Sequence, residues 1–222
     1  MILLFLALAI FLALHSVPAI PALRTGAIMV MGRRTYLAVY SLVSLLSLGF
    51  VFHAGLNTPY VELWAPAGWQ AAITLVAAPI GLFLVLAGLI SPNPLSITLR
   101  GGPVPGAITR LTRHPVLWGF AFWAFGHLAI NGDLRSLVLF GGLGLFSLAG
   151  FPMLDRRAKK RFGPVWPAMA ETAPLLARTP TGLCFDRPMW IAMALTIATT
   201  ITLLAGGHAV LFAADPLTAL AY

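Results

Sequence analysis

Cysteine is almost missing from this sequence, since Cys184 is the only one among 222 residues. A single thiol excludes a disulfide within these residues, a cysteine-rich metal site and the C-x-x-C-H attachment of a c-type haem. Any cofactor of this chain is therefore expected to be held by non-covalent contacts.

Charged residues are also scarce. They make up 9% of the sequence, against about 25% in soluble domains, whereas apolar residues make up 59%. The few charges are unbalanced, with 14 Lys and Arg against 6 Asp and Glu. Because the basic residues fall between long apolar runs, we expect them to meet anionic lipid head groups rather than nucleic acid. This composition predicts an integral membrane protein in a lipid bilayer.

Long apolar runs set the predicted fold. A helix needs about 20 mostly apolar residues to cross the hydrocarbon core, where its backbone amides must bond within their own segment. The predicted spans are residues 2–23, 36–56, 70–90, 115–130, 136–154 and 189–213. We therefore predict an all-α, polytopic membrane helix bundle with about six transmembrane helices.

The basic residues sort to one side of such a bundle. If successive loops alternate between the two faces, thirteen of the fourteen Lys and Arg residues share one face and Arg135 lies alone on the other. Basic loops face the cytoplasm by the positive-inside rule. This distribution predicts that both termini lie on the periplasmic side.

Histidines are the main candidates for function, because an ionisable side chain at membrane depth is costly to bury. The predicted spans contain no Asp or Glu in their interiors, which excludes a carboxylate proton relay or a carboxylate-bridged dimetal centre there. Neutral imidazole suits haem iron, since it supplies a nitrogen ligand without adding a buried charge. The pattern indicates an imidazole-ligated haem.

Depth along the predicted helices separates the five histidines. At about 1.5 Å of rise per residue, His114 lies at the basic boundary, His15 roughly 12 Å inside it and His127 roughly 20 Å inside it. His53 and His208 fall near the opposite edge, where we interpret them as structural. Depth alone permits His15 to pair with either His114 or His127.

Several segments together resemble the NnrU family of bacterial membrane proteins associated with denitrification. They are His-Ser-Val-Pro-Ala at 15–19, Tyr-Leu-Ala-Val-Tyr-Ser-Leu-Val-Ser at 36–44, Thr-Arg-His-Pro-Val-Leu-Trp-Gly at 112–119, Gly-His-Leu at 126–128 and Arg-Phe-Gly-Pro-Val-Trp at 161–166. The resemblance covers residues 1–180, which we interpret as a haem-binding transmembrane domain, with residues 181–222 as an additional C-terminal helix. It implies a bacterial inner membrane location.

This family is related to the plant 15-cis-zeta-carotene isomerase, a membrane enzyme with non-covalent haem b. Carried over by position, that resemblance implies His15 and His127 as the metal ligands, and places its Arg-His-Pro motif at Arg113 and His114, our candidate catalytic residues. The isomerase has a cysteine where this chain has Ala124. The cofactor-binding candidates are His15, His127, His114, Arg113, Arg110 and Arg24, the arginines pairing with haem propionates.

Three classes of function follow from these resemblances. The first is a haem enzyme, either a cis–trans isomerase of a 15-cis-zeta-carotene-like polyene or a redox protein acting on a gas such as nitric oxide. The Arg-His-Pro and Arg-Phe-Gly-Pro-x-Trp segments also resemble isoprenylcysteine carboxyl methyltransferases, which implies S-adenosylmethionine held through His114 and Arg113. In that family paired glutamates stand where this chain has Asp155 and Arg156. The third class is a non-catalytic haem sensor or assembly factor.

Overall fold

A computed structural model describes residues 1–16, 20–102, 104–177 and 184–221 of the chain. In these ranges the regular secondary structure is helical, with loops between the helices. An isolated β-bridge joins Glu62 and Asp133. The helices are α1 (Ile2–Ser16), α2 (Pro21–Met31), α3 (Arg33–Leu56), α4 (Gly68–Ile90), α5 (Pro115–Ile130), α6 (Leu134–Ser136), α7 (Gly142–Phe162), α8 (Trp166–Thr172), α9 (Arg187–Thr202) and α10 (His208–Phe212).

Four helical stretches are long and apolar enough to cross a membrane. They are Arg33–Leu56, Gly68–Ile90, Leu134–Thr172 and Arg187–Phe212. These stretches contain all or nearly all of four predicted spans, and α5 has the bounds predicted for the short fourth one. The all-α prediction is confirmed, and the apolar helices agree with a multi-pass membrane protein. The number of six spans and the orientation of the termini stay predictions.

The predicted first span, 2–23, has a different form. Two shorter helices, α1 and α2, occupy this part of the chain, and residues 17–19 between them lie outside the described ranges. Proline is well suited to begin α2 at Pro21, because its missing N–H has no partner to lose in the first helical turn. The apolar run therefore predicted the helices but not the extended backbone of Ile20 directly before α2.

The first unit consists of Met1–Ala65 and Gly132–Gly142. Helix α1 buries Leu4, Ala7 and Phe11, whose spacing of three and four residues places them on one helix face. This helix packs against α3. The loop after α3 is joined to residues 132–134 by backbone hydrogen bonds, with the N–H groups of Leu63 and Trp64 donating to the carbonyl of Gly132.

The second unit consists of Pro66–Asn131 and Leu143–Tyr222. Its tightest packing joins α4 and α5, where a Cβ added at Gly81 would lie 2.6 Å from the carbonyl oxygen of Gly119. Gly88 and Gly126 make similarly close approaches seven residues further along each helix. Glycine rows of this kind let two membrane helices approach through their backbones. This packing fixes α5, which carries the candidate ligand His127.

Helix α7 continues beyond the apolar run that predicted it. Its last turn carries Lys159, Lys160 and Arg161, and the helix ends at Phe162. Gly163 follows with φ +52°, a left-handed conformation that glycine adopts without steric cost. The helical extension brings Asp155 into the same helix as the apolar run.

Candidate functional site

An ion pair joins the start of α5 to α7 in the second unit. Arg113 donates from Nε to Oδ1 of Asp155 over 2.8 Å and from Nη2 to Oδ2 over 2.6 Å. Their side chains are 13% and 20% exposed, respectively. The guanidinium also lies 5.7 Å from the ring centre of Trp166. Two parallel bonds of this kind give both strength and a fixed orientation.

His114 is fully buried beside this pair. Its Nε2 lies 2.9 Å from Oδ1 of Asp155, and its Nδ1 lies 2.9 Å from Oγ of Ser96. Because a carboxylate only accepts, Nε2 carries the proton and Nδ1 accepts from the serine hydroxyl in the neutral ring. Its ring stacks on Phe151 at a centroid distance of 5.8 Å. Both ring nitrogens are thus engaged by protein groups.

The residues around Arg113 also form hydrogen bonds with the chain segment that follows α8. Arg113 N–H donates to the carbonyl of Pro174, and Ala177 N–H donates to the carbonyl of Leu111. The hydroxyl of Thr112 and the indole N–H of Trp118 both donate to the carbonyl of Leu175. Residues 111–118, which include the Arg-His-Pro motif, therefore act as a clamp between α5, α7 and residues 174–177. This geometry favours a structural role for Arg113 and His114, whose catalytic assignment stays a prediction.

The stability of this clamp is expected to fall on mild acidification. Burial lowers the pKa of His114 below its ordinary value of 6.5, and the neighbouring Asp155 only partly opposes that effect. Below pH 6.5 the unfolded chain binds a proton that the native ring binds less readily, so the free energy of unfolding decreases as pH falls. We expect the melting temperature in detergent to drop as the pH falls below 6.5.

The control for this pH dependence is His114→Asn, which removes the titrating ring. The variant is expected to have a lower melting temperature at neutral pH but a flatter dependence over the same interval. A melting temperature of the unsubstituted protein that rises on acidification would contradict the depressed pKa.

His127 and His208 form a second cluster in this unit. The ring of His127 lies 4.8 Å from that of Trp123, and its Nδ1 lies 2.8 Å from the Trp123 carbonyl oxygen. The rings of His127 and His208 have centroids 6.5 Å apart and planes inclined by 17°. His114 directly precedes the helix that carries His127, so these two histidines lie about 20 Å apart along the helix axis. They cannot bind one metal ion together.

His15 belongs to the first unit and is half-buried at the end of α1. Its Nδ1 lies 2.8 Å from the carbonyl oxygen of Phe11, and its ring packs on Phe11 and Tyr40 at centroid distances of 4.0 and 6.1 Å. His15 and His127 therefore share one local arrangement, in which Nδ1 contacts the carbonyl four residues earlier. A carbonyl only accepts, so the lone pair of each neutral ring is on Nε2.

The remaining predicted site residues are arginines. Arg24 is half-buried in α2 of the first unit, and Arg110 is exposed at the end of the 3-10 turn Ala107–Arg110 of the second. Arg113 forms the ion pair with Asp155 described above. The pairing of these arginines with haem propionates stays a prediction.

Three residues of these clusters were not singled out from the sequence. Ser96 is in a Pro-rich loop, Asp155 was noted only where a related family has paired glutamates, and His208 was interpreted as structural. The available signal for Asp155 was an acidic residue directly after an apolar run. For His208 it was the Gly-Gly pair that precedes the histidine.

An apolar groove lies on α4, α5 and α7 of the second unit. Its volume is about 870 Å³, and the apolar side chains of its wall include Trp69, Val76, Trp118, Phe122, Phe125 and Leu148. Gly126, next to His127 in the chain, also lines it. Within the described ranges, His, Cys, Asp and Glu form no group of three that could hold a metal ion.

Comparison with known proteins gives one match. A family model described as NnrU protein matches residues 3–216, which is nearly the whole chain and includes the last long helix. No curated protein and no solved structure matches the chain.

Proposed function

The chain belongs to the NnrU family, and on that premise we propose that it is a membrane protein that binds haem b through His127. The resemblance to the carotene isomerase adds His15 as a second ligand. Haem iron takes four nitrogens from the porphyrin and one or two axial ligands from the protein. Imidazoles on apolar helices suit that requirement.

The orientation of the candidate ligands carries this proposal. In His15 and His127 the N–H at Nδ1 points to a backbone carbonyl over 2.8 Å. Histidine ligands of metals commonly donate their other ring N–H in this way, which fixes the ring and makes Nε2 the coordinating atom. His114 has the opposite arrangement, since its Nε2 contacts Asp155. This difference favours His127 over His114 as a ligand.

The groove beside α5 suggests the class of molecule on which the protein acts. Its lining is almost wholly apolar, and its volume of about 870 Å³ lies in the range of small-molecule sites. A polyene or a small gas such as nitric oxide can enter it from the hydrocarbon core without losing hydrogen bonds to water. Bound haem would supply an iron centre able to exchange an electron or coordinate a gas. The chain's own residues supply the imidazole ligand and the dry surroundings.

One absorption spectrum tests the proposal. The full chain, expressed with added haem and purified in mild detergent, is expected to show a Soret band that shifts on reduction with dithionite. A pyridine haemochrome assay would identify the haem as type b. A preparation without a Soret band would contradict haem binding.

The same preparation separates the other classes of function. Binding of S-adenosylmethionine in a haem-free preparation would support a methyltransferase. A Soret band without conversion of a cis-polyene, and without a spectral change on adding nitric oxide, would leave a sensor or assembly role.

A further inference from the structure

A dense basic surface covers the end of α7. It consists of five exposed residues: Arg156, Arg157, Lys159, Lys160 and Arg161. Elsewhere in the sequence, Lys and Arg occur singly or as the adjacent pair Arg33 and Arg34. The positive-inside rule accounts for the side of the membrane on which basic residues lie, but it does not require five of them within two helical turns. The basic surface of α7 therefore needs a separate explanation.

The cations of this surface are not neutralised within the described part of the second unit. Asp155 directly precedes them in α7, but its carboxylate is bound to Arg113 and His114. Among the described residues, the ion pairs of this unit are those two contacts of Asp155. Like charges three and four residues apart on a helix repel one another. The basic surface is therefore expected to attract an anionic partner.

The fold holds the basic surface in place without a ligand. Ala158, within the basic run, is buried in a cluster with Leu95, Trp166 and Ala173. The ion pair of Asp155 fixes the helix one residue before the run begins. The five cations are thus presented on a helix whose other side is already packed.

The side chains of the surface differ in their contacts. Arg156 is directed back along α7, since its Nε donates to the carbonyl of Pro152 over 3.1 Å. The guanidinium of Arg161 lies 5.0 Å from the ring centre of Phe162. Within the described ranges the other three cations make no hydrogen bond, ion pair or ring contact; they are Arg157, Lys159 and Lys160. These three are therefore available to a partner.

The position of the surface along α7 indicates which anion it meets. The basic run follows the apolar residues 142–154 within the candidate span Leu134–Thr172. At 1.5 Å of rise per residue it covers about 7.5 Å of the helix axis, which is close to the thickness of about 5–7 Å of one head-group layer. Val165, in the turn that follows α7, is 60% exposed. Exposed apolar and basic side chains together suit a bilayer interface better than a soluble polyanion.

We propose that the basic surface of α7 binds the phosphodiester head groups of anionic phospholipids. The apolar stems of the Lys and Arg side chains lie along the hydrocarbon boundary, while their N–H groups donate to phosphate oxygens. Bound lipid holds the end of α7 at the membrane surface, and with it Asp155 of the clamp. This inference does not depend on haem binding.

The test measures lipid binding to the full chain in mild detergent by native mass spectrometry. The first phosphatidylglycerol is expected to bind more tightly than the first phosphatidylcholine. Each cation near an anionic surface contributes about fivefold in affinity. The triple variant Arg157→Gln/Lys159→Gln/Lys160→Gln is expected to weaken phosphatidylglycerol binding by about tenfold, because one head group contacts only some of the cations. The conservative variant Lys159→Arg/Lys160→Arg is expected to retain the affinity.

The matched control removes the same charge elsewhere. Arg33→Gln/Arg34→Gln/Arg187→Gln replaces three exposed arginines that lie outside α7, and it is expected to retain most of the affinity for phosphatidylglycerol. An equal loss in both triple variants would show that net charge, and not the basic surface, attracts the lipid. If the α7 triple variant does not fold, Lys159→Gln/Lys160→Gln replaces it.

Two further results would overturn the proposal. One is equal affinity of the unsubstituted protein for phosphatidylglycerol and phosphatidylcholine. The other is displacement of phosphatidylglycerol by equimolar glycerophosphoglycerol or RNA, which would identify a soluble anion as the partner. The haem content of the α7 triple variant is expected to be unchanged, so this test and the test of the proposed function can fail separately.

Discussion

Replacing Asp155 with alanine is expected to lower the free energy of unfolding by about 3 kcal/mol, the lower end of the range for breaking a buried ion pair. The lower end applies because the side chain of Asp155 is 20% exposed. The substitution leaves the guanidinium of Arg113 without its bidentate partner and Nε2 of His114 without its acceptor. The transition would be followed by tryptophan fluorescence during denaturation in mixed micelles.

Glu171→Ala provides the matched control for this prediction. Glu171 is an exposed carboxylate on α8, so its loss is expected to change the free energy of unfolding by no more than about 0.5 kcal/mol. Asp155→Asn should lie between the two, since the amide oxygen can still accept one hydrogen bond. Equal stability of Asp155→Ala and Glu171→Ala would show that the clamp does not stabilise the second unit.

Replacing His127 with alanine is expected to remove most of the Soret absorbance of the purified protein. The loss of a residue that merely supports a metal ligand costs about 10–100-fold in affinity, and the loss of the ligand itself is expected to cost more. The measurement is haem content per chain, from the Soret band and the haemochrome assay, after identical purification.

His53→Ala is the control for that substitution. His53 is exposed near the end of α3, and its Nδ1 lies 3.4 Å from the side-chain amide of Asn57, the residue that follows the helix. Its removal tests whether any histidine loss lowers haem content. Full haem content in a folded His127→Ala variant would exclude His127 as the ligand.

Much of the fold could be predicted because a membrane helix satisfies its backbone hydrogen bonds within its own segment. The apolar runs identified Gly68–Ile90 and Pro115–Ile130 to within about two residues, which is the usual uncertainty of helix ends. The extended backbone of Ile20 before α2 and the kink at Gly206 were not predicted. Both depend on local backbone conformation within runs that are apolar throughout.

The candidate sites were less predictable than the helices. Arg113 and His114 were selected as a motif, but their partner Asp155 lies 42 residues after Arg113, and Ser96 lies 18 residues before His114. His208 was interpreted as structural because depth arithmetic placed it near the opposite edge from the basic face. A straight-helix estimate of depth cannot include the turn that Gly206 introduces.

The sequence by itself determined that this is an apolar, all-helical membrane protein, because the length and composition of each run act locally on the chain. It also determined which titratable side chains were available at membrane depth. Only the tertiary structure decided which of them meet: Arg113 with Asp155 and His114, and His127 with His208. Such pairings depend on how close-packed helices place their faces, and no periodicity along the chain encodes that geometry.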